Sequence, residues 1–180
     1  MSIKTMSIKA ILIPLLAATS LALPAATFAA NPQPLTVDAD HSVTTLDNKA
    51  DTSQTTYSGH VVIRRGTTVI HGAQAVVHTR HQRLEKAVVT GKQATFSVQK
   101  AGDKGPVHGR ADRITYQVAA NTLVLEGDAH LKRNGQKFSA ARVRYNLDTR
   151  TLEARGKRDE RVHVVIPPAQ STAAPAPSHS

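Results

Sequence analysis

Nine histidines and no cysteine stand in this chain, so thiolate chemistry is excluded and imidazole is the metal ligand left to consider. His78 and His81 are three residues apart, a spacing that points them to opposite faces of a strand. His71 and His108 hold neighbouring places in two segments that repeat one another, so they can lie close. Neither pair is accompanied by carboxylates in a ligand-like cluster, and no metal is assigned. Asp38/Asp40 and Asp47/Asp51 are spaced carboxylates in polar, turn-like sequence, where solvation is the simpler account. The chain contains no G-x-S-x-G, H-E-x-x-H, P-loop or G-x-G-x-x-G. No nucleophile, acid/base pair or cofactor cradle emerges. The expectation is a non-enzymatic protein without a cofactor.

The second chemical feature is charge. The chain carries a formal net charge of +10, and removal of Lys4 and Lys9 with an N-terminal leader leaves +8. Its cations are spread over many segments: Arg64, Arg65, Arg110, Arg113, Lys132, Arg133, Arg142, Arg144, Lys157 and Arg158. No run of five or six like charges occurs. Such a surface suits the phosphates of lipids or envelope polysaccharides; dispersed charges also solvate sheet faces and blunt sheet edges. Arg65, Arg133 and Arg144 are candidates for attracting phosphate.

These side chains must be positioned by β-structure. Tyr57 to His78 alternates apolar and polar residues around a tight turn at Arg65-Gly66, the pattern of half-buried antiparallel strands. Leu125 to Tyr145 repeats the plan: Gly127 matches Gly59, Ala129 and Leu131 match Val61 and Ile63, and Asn134-Gly135 supplies the turn. In a partial third copy, Ala111, Ile114 and Tyr116 align with Ala140, Val143 and Tyr145, and with Ala73, Val76 and His78. Further runs lead to Gly91, Gly127 and Gly156. Self-similarity over a few tens of residues implies stacked units that cannot bury their apolar faces alone. The fold class is all-β: a single-domain jelly-roll of many short antiparallel strands in stacked repeats, the sheet folded over an apolar groove.

Around this unit, Leu35–Asp40 reads as a first strand and His41–Thr56 as a hairpin turning at Asp47-Asn48. Ala94, Phe96 and Val98 alternate as a strand before the turn Gly102–Pro106, and Val162–Ile166 is a last strand ended by Pro167-Pro168. Alternation predicts an inward face of Val61, Ile63, Ile70, Val76, Val89, Ile114, Tyr116, Leu123, Leu125, Leu131, Phe138, Val143, Tyr145 and Leu152. This face is aliphatic, with few aromatics. It serves equally as an ordinary packed core or as a trough for acyl chains.

Residues 1–29 read as a cleavable secretory leader: Lys4 and Lys9, an apolar run, then small residues leading to cleavage after Ala29. Residues 30–168 form the β-domain, and residues 169–180, dominated by Ala, Pro and Ser, a disordered tail. The leader places the mature chain in the periplasm. It needs no disulfide, since about 150 residues bury enough surface without one.

In order and spacing, Tyr57–Ile63, Ala73–Arg80, Gly91–Phe96, Val107–Tyr116, Leu123–Gly127 and Gly156-Lys-Arg158 resemble the OstA-like family of LptA-type periplasmic lipopolysaccharide-transport proteins. The resemblance runs from Leu35 to Pro167; Asp159-Glu160 is an insertion relative to the pattern. It implies a twisted jelly-roll that joins end to end with copies of itself, edge strand to edge strand. The resulting bridge carries lipopolysaccharide outward, its acyl chains shielded in the groove. The N-terminal edge, with Leu35 and Val37, would face LptC. The C-terminal strand, with Val162, Val164 and Ile166, would face the next protomer or LptD. Nothing in the chain would bind nucleotide, so energy would come from an ATPase elsewhere. The competing function is a basic periplasmic β-module that binds another amphiphile or a polyanion as an assembly scaffold. Nucleic acid is not an expected partner in the periplasm.

Overall fold

The computed structural model describes residues 33–157 and 161–168. The expected leader and tail lie outside the described residues. Ten strands follow one another: β1 (Leu35–Asp38), β2 (His41–Asp47), β3 (Thr52–Arg65), β4 (Thr68–Arg80), β5 (Arg83–Val98), β6 (Val107–Gln117), β7 (Thr122–Arg133), β8 (Gln136–Asn146), β9 (Leu152–Arg155) and β10 (His163–Val165). All belong to one antiparallel sheet in the order β1-β3-β4-β5-β6-β7-β8-β10, with β2 also on β3 and β9 also on β8. Among the described residues there is no helix.

β1 and β2 run in succession along the same edge of β3, with Leu35–Asp38 opposite Val62–Arg65 and His41–Asp47 opposite Thr52–Ser58. At the other edge, β9 lies on Arg142–Tyr145 of β8 and β10 on Lys137–Ser139. The sheet is thus a meander of eight strand-lengths, the first and last of them interrupted midway. The strands expected as separate short pieces prove to be halves of strands 11 to 16 residues long.

Five of the six long strands, β3 to β7, are broken at the same level. Register shifts fall at Ser58/Val61 of β3, His71/Gln74 of β4, Thr90/Ala94 of β5, Arg110/Arg113 of β6 and Glu126/Ala129 of β7. Bulges bend a strand and increase its local twist. Lined up across the sheet, they form a crease that divides it into an upper half, carrying β1 and β10, and a lower half, carrying β2 and β9. The glycines that mark the sequence repeat sit here. Gly59 and Gly127 adopt φ of +78° and +76°, a region costly for any residue with a Cβ. Each lies against an aspartate, Gly59 against Asp40 in the break between β1 and β2 and Gly127 against Asp112 of β6.

Folding along the crease brings the two inward faces together. One buried cluster includes Val61, Ile63, Ile70, Phe96, Val98, Val107 and Leu131 from the upper half. From the lower half it takes Ala75, Val77, Ala87, Val89, Ile114, Tyr116, Leu123, Leu125, Val143 and Tyr145. Gly109 shows how tightly the halves meet: a Cβ there would lie 2.1 Å from the Phe96 ring and 2.9 Å from Leu125 of the opposite half. Most of these side chains are 0–3 % exposed. Full burial of an aliphatic side chain contributes roughly 1.5–3 kcal/mol, so this interior is the main stabilising element.

Val76 is a correction to the inward set. It sits half-buried on the opposite face, opposite Val88 and Thr56, while Ala75 and Val77 point inward. The sequence repeat uses an alanine at the crease, Ala111 or Ala140, as its marker, and Ala73 imitates it. The true equivalent is Gly72, where a Cβ would come within 2.3 Å of Val89. Only glycine fits, the marker is displaced by one residue, and a slip of one inverts the face. The last strand is also shorter than expected: His163–Val165 pair, whereas Val162 and Ile166 lie outside it.

Candidate functional site

The interior between the half-sheets gathers the residues singled out by alternation. Val61, Ile63, Ile70, Val89, Ile114, Tyr116, Leu123, Leu125, Leu131, Val143 and Tyr145 are buried there; Phe138 and Leu152 pack half-buried against them. Sequence reasoning missed Ala75, Ala87, Ala94, Ala111 and Ala129, whose small side chains carry little hydrophobic signal. It also missed Phe96, which lies over Gly109 and was legible as part of an alternating Ala94-Phe96-Val98 run. Thr68 and Thr122 are the buried polar residues among those described. No buried side-chain nitrogen or oxygen among the described residues lacks a partner. The interior therefore offers apolar surface and no free hydrogen-bonding group.

The halves are joined covalently at the crease and only by side chains at the mouth opposite it. Arg65, at the tip of β3, donates a hydrogen bond to the Tyr116 hydroxyl of the lower half and stacks 5.6 Å from the ring centroid. Tyr116 in turn donates to Asn121 Oδ1 at 2.8 Å, and Asn121 to Asp148 at 2.6 Å. Lys100, from the β5–β6 loop, reaches the same Asp148 carboxylate at 3.3 Å. A second set repeats the logic. Arg133 lies 6.0 Å over the Tyr145 ring and donates to the Arg150 carbonyl at 2.7 Å. Arg150 bridges back to Asp103 at 3.2 Å. Burial pushes both phenols up from their ordinary value, more than Arg65 and Arg133 pull them down.

Arg65 and Arg133 thus stand at the mouth, as phosphate-attracting cations would. Arg144 does not: it lies exposed on the outer face beside Val124 and Glu153. His71 and His108 line one trough on the outer face of the upper half, but on β4 and β6, with β5 between them. Among the described residues no three His, Asp or Glu side chains form a metal-holding group.

The two ends of the sheet are open edges. β1 packs Leu35 and Val37 partly onto the core. β2 is exposed along its whole length, with Val43 and Leu46 each 68 % exposed. At the other end Val164, Val165 and Ile166 are exposed beside β8. The N-terminal edge assigned to Leu35 and Val37 is shared by β2, the first strand of the hairpin expected over His41–Thr56.

An antiparallel sheet creased over a buried aliphatic interior, with an open edge at each end among the described residues, defines a folded β-jelly-roll that is not a closed barrel. Comparison supplies the family. Residues 36–151 match the family model described as LptA/(LptD N-terminal domain) LPS transport protein, and the chain belongs to that family. It is similar to the lipopolysaccharide export system protein LptA of Escherichia coli K12, 28 % identical over 140 residues that cover 77 % of this chain and 73 % of the relative. The Haemophilus influenzae LptA is 30 % identical over 142 residues, covering 77 % of this chain and 79 % of the relative. A solved structure of Pseudomonas aeruginosa LptH has the same fold. That protein is titled the LptA homologous periplasmic component of the lipopolysaccharide transport device; it superposes with a TM-score of 0.63 at 27 % identity, covering 76 % of this chain and 96 % of its own. The chain is therefore a member of a periplasmic lipopolysaccharide-transport family.

Proposed function

We propose that this protein is a periplasmic bridge that passes lipopolysaccharide from the inner to the outer membrane. It shields the acyl chains between its two half-sheets and assembles end to end with LptC, with copies of itself and with LptD. The observation that supports this reading is the interior: a continuous aliphatic core running across the strands between the half-sheets, with side-chain contacts holding its mouth. Hydrocarbon chains enter when the mouth parts, and replace protein–protein apolar contact with protein–lipid contact at little net cost. The unpaired β1 and β2 accept a strand from LptC, and β10 presents one to the next copy or to LptD, by β-augmentation. The leader, cleaved after Ala29, delivers the chain to the periplasm.

Photocrosslinking tests the reading. A photoreactive side chain at Leu125, Ile114 or Phe138 labels lipopolysaccharide in cells, whereas one at Val76, Thr115 or Arg144 on the outer face of the lower half does not. Labelling confined to the outer positions would falsify the internal route.

A further inference from the structure

The outer face of the upper half carries a feature that an acyl-chain slot does not require. A trough of about 620 Å³ crosses four strands there, β5 to β8, with His71 of β4 on its rim. Its basic lining is His71, His108, Arg110, His130, Lys132 and Lys137. The sheet register places these cations side by side. His108 stands opposite Lys132, and Lys132 directly opposite Lys137. Like charges directly opposed across two strands destabilise a sheet. Among the described residues, Arg110, Lys132 and Lys137 make no ion pair and no carboxylate lines the trough; nearby Asp128 is held by His130 at 2.8 Å. The Ser139 hydroxyl bonds the other nitrogen of that ring at 2.9 Å.

The trough does not end on the open face. A second hollow of about 420 Å³ shares His108 and Lys132 with it and continues past Lys104 to Asn134 and Gly135. The β5–β6 loop and the β7–β8 turn that line this extension carry Lys100 and Arg133, the same groups that close the mouth of the interior. A molecule whose chains leave the slot through the mouth meets this basic path immediately outside it. The combined space is far larger than one phosphate needs. Thr95, Ser97 and Ser139 add hydroxyls suited to a sugar.

We propose that this trough binds the phosphate groups of a phosphorylated saccharide, the headgroup of the lipid whose chains occupy the interior. The assignment rests on the transport reading above. It gives the opposed lysines a role: an anion between them converts their repulsion into two charge-assisted hydrogen bonds. The headgroup is then guided along the outside of the upper half while the chains travel within.

The test uses the mature protein at low ionic strength and three soluble probes, titrated by calorimetry. The first is the phosphorylated oligosaccharide released from lipopolysaccharide by complete deacylation, the second is the same oligosaccharide after removal of its phosphates, and the third is tripolyphosphate. The first binds; the second does not; tripolyphosphate binds more weakly than the first. The triple variant Arg110→Gln, Lys132→Gln, Lys137→Gln loses about tenfold or more of the affinity, the scale of one or more charge-assisted bonds. The control Arg83→Gln, Lys86→Gln, on the lower half, changes affinity less than about twofold. The melting temperature of the triple variant stays level or rises, because an opposed lysine pair is gone. An affinity unchanged in the triple variant, or an intact protein that fails to bind the first probe, overturns the site. Tripolyphosphate binding as tightly as the oligosaccharide overturns the headgroup assignment in favour of free phosphate. Crosslinking from Leu125 in the triple variant separates the two ideas. Labelling that persists while oligosaccharide binding never existed sinks the trough alone. Oligosaccharide binding without interior labelling sinks the transport route alone.

Discussion

A methyl group added at Gly127 would lie 2.4 Å from the Asp112 carboxylate, on a backbone with φ of +76°. Gly59 faces Asp40 in the same way, at 2.1 Å and φ of +78°. Both sit on the crease, so the two Gly–Asp pairs fix where the sheet folds, and not merely that it folds. Gly127→Ala must adopt a strained φ and displace the aspartate; strain of this kind costs on the order of 1–3 kcal/mol. The expected result is a lower urea midpoint with an unchanged slope. Asp112→Ala in the Gly127→Ala background relieves the steric part and recovers some of the loss. No loss of midpoint in Gly127→Ala would mean the bulge is not a fixed feature. These residues were legible. Gly59, Gly91, Gly127 and Gly156 stand out in the sequence as repeat markers, because a position that demands positive φ or close approach admits few alternatives. Gly72 fulfils the same requirement, but a neighbouring Ala73 disguised it, and the face of Val76 was lost with it.

At the scale of elements, alternation identified most strand halves and their inward residues, because burial on one face imposes a period of two. What alternation cannot convey is the joining of halves. Ile70 faces inward on an even position and Ala75 on an odd one, so a reader who carries the phase across the bulge in β4 reaches the wrong face. β2 was legible as one arm of a hairpin from its Thr content and the Asp47-Asn48 turn, but it has no buried face to impose alternation. Yet Val43 and Leu46, each 68 % exposed beside an unpaired edge, make β2 the more conspicuous docking strand. Charged residues on an edge discourage strand addition. Val43→Lys with Leu46→Lys is therefore expected to abolish head-to-tail association, read as the loss of concentration-dependent mass in analytical ultracentrifugation. Stability should move little, within about 0.5 kcal/mol per exposed substitution. Association that survives both lysines would assign the contact to β1 alone.

For the molecule as a whole, the decisive asymmetry is between crease and mouth. The crease is crossed by six strands of continuous backbone, β3 to β8, whereas the mouth is two tyrosines, two arginines and a few ion pairs. Exposed or half-exposed ion pairs are worth about 0–1 kcal/mol each, far less than the buried cluster behind them. Any opening that admits a lipid chain must hinge at the crease and yield at the mouth. The tyrosines make this testable with pH. Burial is the first cause that raises the pKa of Tyr116 and Tyr145 above the ordinary 10.0, and the nearby Arg65 and Arg133 only partly offset it. A phenol whose folded pKa lies above its unfolded one contributes stability that is complete below about pH 10 and is lost as pH rises through the folded pKa. The charged form is the one the folded mouth disfavours, so alkali should loosen the mouth before it disturbs the aliphatic rows near the crease. Comparison with Tyr116→Phe, Tyr145→Phe isolates the effect from lysine titration, which both proteins share. At pH 8 the double variant is the less stable, since Arg65 loses its hydroxyl partner. Its deficit in urea midpoint should shrink steadily between pH 9.5 and 11.5, as wild type alone acquires charge in the mouth. A deficit that stays constant over that range would show that the phenols are not sequestered. The mouth would then be open to solvent in the resting protein, with no seal for a lipid to break.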